Sequence, residues 1–477
     1  MRKAALFFGI ALTAAGCASA PGYRASEVTI PHAFRETRDT AITLAATPSD
    51  TAQLVQWAEL GDSTLIRLID QLAHANLDVR AAEERVRGAR AARTEVALDL
   101  APTVTFAGSY TRQRLSSATF PIGFGSGTFP DQNIWDAGFD ASWELDLFGR
   151  VRHNVQAQGA FVAVSQEDLR DVQISLTAEL ARAYFDLRGA QEQLAVAARN
   201  AENQRRTFDL TRERLEAGRG TAFDTERAQA QLSTTLASIP TLESRVREAQ
   251  YQIGVLVGRS PAIVAAELER PAPLPDFPDL AELSAPDSVI RRRPDVAAAE
   301  RQLAVERALV GAAKADYLPR LSLGGSAGYA ASDFDALGNH GTFRYAVGPI
   351  ITWPALNLGR IKARVDQSNA REREAQAQYA ATVLRALQDV ETSLVRYRTA
   401  RGRVGRLRDA ADASERAAEL ARLRFTGGVA DFLQVLDAER TQLEAQSQLA
   451  QSRTEAATAY AGLYKALGGA WPGPEKS

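Results

Sequence analysis

Trp135-Asp136-Ala137-Gly138-Phe139-Asp140-Ala141-Ser142-Trp143-Glu144-Leu145-Asp146-Leu147 alternates side chains of two kinds over thirteen residues. Trp, Ala, Phe, Trp and Leu fall on one parity, and Asp, Gly, Ser and Glu on the other. A period of two places one kind on each face of a β-strand. A second stretch repeats the pattern: Phe343, Tyr345, Val347, Pro349, Ile351 and Trp353 alternate with Arg344, Ala346, Gly348, Ile350 and Thr352. Each has a partner strand upstream, one through Val104, Phe106, Gly108 and Tyr110, the other through Leu321, Leu323, Gly325, Ala327 and Tyr329. Long strands, apolar on one face, polar on the other and aromatic near their ends, are expected of a transmembrane β-barrel. Four strands cannot close one, because the smallest filled barrels have about eight. The barrel is therefore expected to be shared among copies of the chain, and strand counting leaves two, three or four copies open.

Outward from the hairpins the chain reads as helix. Leu169, Val172, Leu176, Leu180, Ala183, Leu187, Ala190, Leu194, Ala197 and Ala201 recur at steps of three and four, and Val383, Leu387, Val390, Leu394, Tyr397, Arg401, Val404 and Ala411 answer them. Each helix is expected to run from a Gly-Arg pair to the next glycine, about 65 residues or roughly 100 Å at 1.5 Å per residue. Such a rod has the seam of a coiled coil.

The two halves are copies of one unit. Val79, Glu83 and Pro102 recur as Val296, Glu300 and Pro319 at a constant offset of 217 residues, Gly149-Arg150 recurs as Gly359-Arg360 at 210, and Gly218 with Phe223 recurs as Gly427 with Phe432 at 209. Between them Pro261, Pro271, Pro273, Pro275, Pro278 and Pro286 stop any long helix and favour extended chain. The expected organisation is a signal peptide at 1–16, a lipidated extended segment at 17–62, a first repeat at 63–260 with its hairpin at 103–147, a proline-rich connector at 261–290, a second repeat at 291–469 with its hairpin at 319–355, and a tail at 470–477.

Composition narrows the function. With 56 basic and 58 acidic residues the chain lacks the positive excess of a nucleic-acid binder. One Cys and four His forbid an internal disulfide and disfavour a multi-ligand metal site. No Walker A or HExxH pattern occurs, so neither enzyme chemistry nor a cofactor is expected. Arg2-Lys3, the twelve apolar residues Ala4–Ala15 and then Gly16 read as a secretory signal too short to span a membrane. The single cysteine, Cys17, follows directly and resembles the lipid-accepting residue of a bacterial lipobox.

Three motifs, Ser142-Trp143-Glu144-Leu145-Asp146-Leu147-Phe148-Gly149-Arg150, Ile290-Arg291-Arg292-Arg293-Pro294-Asp295-Val296 and Ala313-Lys314-Ala315-Asp316-Tyr317-Leu318-Pro319, resemble those of the outer membrane factor family of TolC-like efflux channels, in the NodT-like lipoprotein subgroup. The resemblance covers nearly the whole chain after Cys17. It implies an α+β membrane protein: a homotrimer with a 12-stranded barrel in the outer membrane, continuous with a long α-helical tunnel in the periplasm. It further implies docking on a periplasmic adaptor (membrane fusion) protein and an inner-membrane pump, and a passive exit route for small molecules such as drugs. The alternatives are a duct for secreted protein or peptide and, in another class, a lipid-anchored coiled-coil scaffold, which needs the helices but not the hairpins. On this likeness Trp135, Phe139, Trp143, Phe343, Tyr345 and Trp353 face lipid, with Asp136, Asp140 and Glu144 turned to the pore. The turns Gly218, Gly220, Thr221 and Gly427, Gly428, Val429 meet the adaptor. Leu433, Asp437 and Arg440, at steps of four and three on one helix face, line the narrow periplasmic end, with Ala228 in the position of Asp437 in the first repeat.

Overall fold

The computed structural model describes residues 29–37, 43–44, 57–116, 130–278, 282–283 and 285–469. The signal sequence and Cys17 lie outside the described residues. In chain order the elements are β1 (Thr43–Leu44), α1 (Ser63–Ala75), α2 (Leu77–Leu98), β2 (Thr103–Gln113), β3 (Gln132–Glu144), α3 (Arg150–Glu216), α4 (Ala222–Leu256), α5 (Pro261–Glu267), β4 (Glu282–Leu283), α6 (Pro286–Arg292), α7 (Pro294–Ala315), β5 (Arg320–Ala331), β6 (Phe343–Thr352), α8 (Leu358–Thr426) and α9 (Phe432–Ala466). The long helices α3 and α8, of 67 and 69 residues, start and stop where the glycines placed them. Every seam residue named on them is buried or half-buried.

The connector differs from the extended chain expected of it. Pro261 and Pro286 open two short helices, α5 and α6, because proline at the first helical position loses no hydrogen bond and already has a helical φ. Between them residues 271–278 form neither helix nor strand, and Glu282–Leu283 pairs in parallel with Thr43–Leu44.

The chain divides into two compact units, each taking part of both sequence repeats. The first unit contains residues 86–165 and 299–379 and holds one antiparallel sheet of order β2-β3-β5-β6. The central pair, β3 with β5, joins the two hairpins in register from Trp135↔Ala331 to Glu144↔Ser322. The second unit contains residues 28–85, 166–298 and 380 onward. Its core clusters Phe34, Trp57, Leu65, Leu72, Leu180, Phe185, Ile253, Tyr397, Tyr460 and Tyr464. Arg293 is buried there at 8% exposure and ties three elements: it donates to the Ala466 carbonyl at the end of α9 (3.0 Å), to Asp389 on α8 (3.1 Å) and to Asp295 on α7 (2.7 Å).

Candidate functional site

The sheet has two unlike faces. Register places Phe106 opposite Phe139, Tyr110 opposite Trp135, Phe139 opposite Ala327, and Ala327 opposite Tyr345. Opposed residues share a face, so Val104, Trp135, Phe139, Trp143, Leu323, Phe343, Tyr345 and Val347 form one apolar surface. Phe139 is 58% and Tyr345 74% exposed, and nothing among the described residues covers them. The other face carries Thr103, Thr105, Asp136, Asp140, Ser142, Glu144, Ser322, Ser326 and Arg344. On it the Arg344 guanidinium reaches past Gly328 to Asp136, donating through Nε at 2.6 Å, and so pins the second repeat to the first.

The sheet creases toward this polar face. A Cβ added at Gly138 would stand 2.8 Å from the Gly328 Cα, and one at Gly328 would stand 2.5 Å from the Gly138 Cα. Only paired glycines permit that approach, and glycine creases of this kind are how sheets are curled for closure.

The indoles at the other strand ends show the duplication in chemistry. Trp143 Nε1 donates to the Leu100 carbonyl at 2.9 Å, and Trp353 Nε1 donates to the Tyr317 carbonyl at 3.1 Å. Trp353 itself lies one residue beyond β6. Leu145 and Leu147, read as strand, lie past β3, where Asp146 Oδ1 and Oδ2 accept from the Val151 and Arg152 amides and turn the chain into α3.

The predicted turns are the α3–α4 and α8–α9 connections. Each closes its first helix with the same pair of bonds: Gly218 N to Leu215 O and Arg219 N to Arg214 O, then Gly428 N to Phe425 O and Val429 N to Arg424 O. Gly218 and Gly428 hold positive φ, 68° and 76°, as that helix stop requires. This geometry corrects the repeat alignment at the tips. Gly218 matches Gly428 rather than Gly427, an offset of 210, so Phe223 matches Leu433 and not Phe432. Burial agrees, since Phe223 and Leu433 are exposed while Phe432 is 2% exposed in a cluster with Phe425, Val435 and Ala228. The residue matching Asp437 is therefore Arg227, not Ala228. Short glycine spacings misled the sequence alignment because Gly427 and Gly428 are adjacent.

Leu433, Asp437 and Arg440 are exposed on α9. Asp437 and Arg440 form no ion pair with each other or with any other described residue. Beside them a buried carboxylate went unnoticed in the sequence: Glu439, 3% exposed, accepts from Thr207 Oγ1 on α3 at 2.8 Å and from Arg422 Nη1 on α8 at 3.2 Å. Arg214 lies over the Phe425 ring, 4.0 Å from its centroid, and donates to the Phe425 carbonyl at 2.7 Å. No signal short of the three-dimensional pairing of α3 with α8 and α9 would have found either contact.

Among the described residues no group of His, Cys, Asp and Glu could hold a metal ion, and no helix is long and apolar enough to cross a membrane. The second statement leaves the sheet as the element to test against known proteins. The sequence pattern of outer membrane efflux proteins matches at residues 68–259 and 285–469. The chain belongs to the outer membrane efflux protein family. It is 27% identical to Nodulation protein T of Rhizobium leguminosarum bv. trifolii over 97% of this chain and 96% of that protein. It is 30% identical to the antibiotic efflux pump outer membrane protein ArpC of Pseudomonas putida over 96% of this chain and 93% of that protein. Among solved structures, the outer-membrane channel OprN aligns with a TM-score of 0.86 at 35% identity, over 95% of this chain and all of that one. The family membership locates this protein in the outer membrane, with its helices in the periplasm.

Proposed function

We propose that three copies of this chain assemble into a passive exit duct for small molecules, anchored by a lipid on Cys17 and driven by an inner-membrane pump through a periplasmic adaptor. The observation that carries the reading is the four-stranded sheet with an exposed apolar face, a polar face on the inside of its crease, and two edges, β2 and β6, paired on one side only. An open edge with an uncovered apolar face demands both a partner strand and a non-aqueous solvent. β2 and β6 run in opposite directions, so β6 of one copy can continue antiparallel onto β2 of the next. Three copies make twelve strands, with Trp135, Phe139, Trp143, Phe343, Tyr345 and Trp353 toward lipid. ArpC, an efflux pump component by name, favours small molecules over secreted protein as the cargo.

The tips Gly218, Gly220, Thr221 and Gly427, Gly428, Val429 are the adaptor contacts in this reading. Leu433, Asp437 and Arg440 form the periplasmic constriction. With the corrected register, six tips in a ring would alternate Arg227 with Asp437, so opposite charges rather than crowded carboxylates close the opening. Conductance of the purified channel in planar bilayers tests this. Asp437→Ala, Arg440→Ala and Arg227→Ala should each raise it while the trimer persists in electrophoresis without heating. Unchanged conductance in all three and in their combination would place the constriction elsewhere.

A further inference from the structure

Arg112 stands on the wrong face for a charge. In β2 it shares the parity of Val104, Phe106 and Tyr110, which puts it on the apolar surface of the sheet. Among the residues of β2, β3, β5 and β6 it is the only charged one on that surface. Arg114 follows two residues later, just past the strand. Asp131, one residue before β3, accepts from Arg112 Nη2 at 2.9 Å and from Arg114 Nε at 2.6 Å. The two arginine side chains remain 65% and 63% exposed. One carboxylate takes only part of the donor set of two guanidinium forks, so the trio keeps a net positive charge and free donors.

The duplication shows that the sheet itself does not require this charge. At the offsets of 217 and 210 residues, Arg112 and Asn133 match Tyr329 and Phe343, and both pairs stand opposite each other in register. The second hairpin fills the place with two rings, 5.7 Å apart between centroids. Arg114 and Asp131 match Ala331 and Gly341 there, so the charged trio belongs to the first hairpin alone.

Height along the strand says what the trio meets. Trp143 marks the helix end of the apolar surface, and Asn133, on the same face of β3, lies ten residues back toward the hairpin end. That is about 34 Å along the strand, or about 24 Å of height at a tilt of about 45°. The apolar band of an outer-membrane barrel is about 25 Å tall, so the guanidinium groups stand at its outer edge. Below them come Tyr110, whose hydroxyl donates to Asn133 Oδ1 at 3.1 Å, and Trp135, stacked on the Tyr110 ring at 4.4 Å. With the helices in the periplasm, this edge is the outer leaflet, where the lipid is a phosphorylated glycolipid.

We propose that Arg112 and Arg114 bind a phosphate group of that glycolipid, with its acyl chains lying along Tyr110, Trp135 and Phe139. Asp131 holds the two forks side by side, and arginine forks match phosphate oxygens in geometry as well as charge. The proposal rests on reading the apolar face as the lipid face.

Native mass spectrometry of the full protein, released from nanodiscs containing bisphosphorylated lipid A, is the direct test. The unmodified protein should retain the glycolipid, and Arg112→Gln combined with Arg114→Gln should reduce retention by roughly tenfold or more. Arg112→Lys with Arg114→Lys should keep part of it, because a point charge still attracts phosphate. Lipid A stripped of its phosphates should be captured no better by the unmodified protein than the intact lipid is by the glutamine variant. Inorganic phosphate alone should not displace the glycolipid, since the acyl chains hold it too. Equal retention in the unmodified and glutamine proteins would overturn the proposal, as would equal capture with and without phosphates. Equal capture of phosphatidylglycerol, or displacement by inorganic phosphate, would overturn it in favour of a general anion site. If the glutamine variant forms no heat-resistant assembly, the comparison of the two glycolipids on the unmodified protein decides. Normal assembly of Phe139→Arg would instead defeat the lipid-face reading itself.

Discussion

Arg293 shows how much one side chain of a recognisable motif can hold. Its guanidinium takes the last carbonyl of α9, a carboxylate on α8 and the first-turn carboxylate of α7, and an arginine fork can do this where a lysine ammonium cannot. Burial pushes the Asp295 carboxyl up, but the two Arg293 bonds and their attraction outweigh it, so the group sits below its ordinary value. A depressed carboxylate contributes in full above the unfolded value near 3.9 and loses that contribution as pH falls through the lower folded one. Asp171 nearby has the opposite sign, raised chiefly by burial, and is relieved by acid. Asp295→Asn should therefore lower stability at pH 7 by about 1.5–3 kcal/mol, the worth of a charge-assisted bond. The difference from the unmodified protein should shrink as pH falls below the unfolded value near 3.9. Thermal loss of helix followed by circular dichroism in detergent checks both; a deficit unchanged with pH would mean that the pair is not what Asp295 supplies.

At the scale of the element, the sheet makes a sharper prediction than the helices do. Phe139 and Asp140 are neighbours in sequence but stand on opposite faces of β3, one on the apolar surface and the other on the polar side of the glycine crease. Phe139→Arg should cost about 2–4 kcal/mol if the site lies near the bilayer midplane. Its effect should appear as lost heat-resistant assembly in electrophoresis. Asp140→Arg should assemble normally and change only conductance and ion preference. Equal assembly defects in both would mean that the faces have been assigned the wrong way round. The helices were legible for a related reason. A seam with steps of three and four over many turns, with no proline inside it, has one reading. The connector was less legible, because a proline that breaks a helix interior and a proline that starts a helix are the same letter.

For the molecule as a whole, membrane attachment should combine sheet and lipid. Replacing Cys17 by Ser should abolish labelling with a radioactive fatty acid, and two or three acyl chains, at about 0.8 kcal/mol per buried CH₂, make the anchor firm. Equal labelling of both proteins would remove the lipid from the account. The sequence by itself determined the duplication, the strand and helix periods, the positions of the turning glycines and the family. All of these are local or repetitive patterns, carried by residues a few positions apart or at a fixed offset. Tertiary structure alone decided which glycine matches which at the tips and that Arg227 stands where Asp437 stands. It also decided that Glu439 is buried between three helices. Those facts depend on side chains hundreds of residues apart meeting across an antiparallel helix pair, and no spacing along one chain encodes which pair of faces will meet.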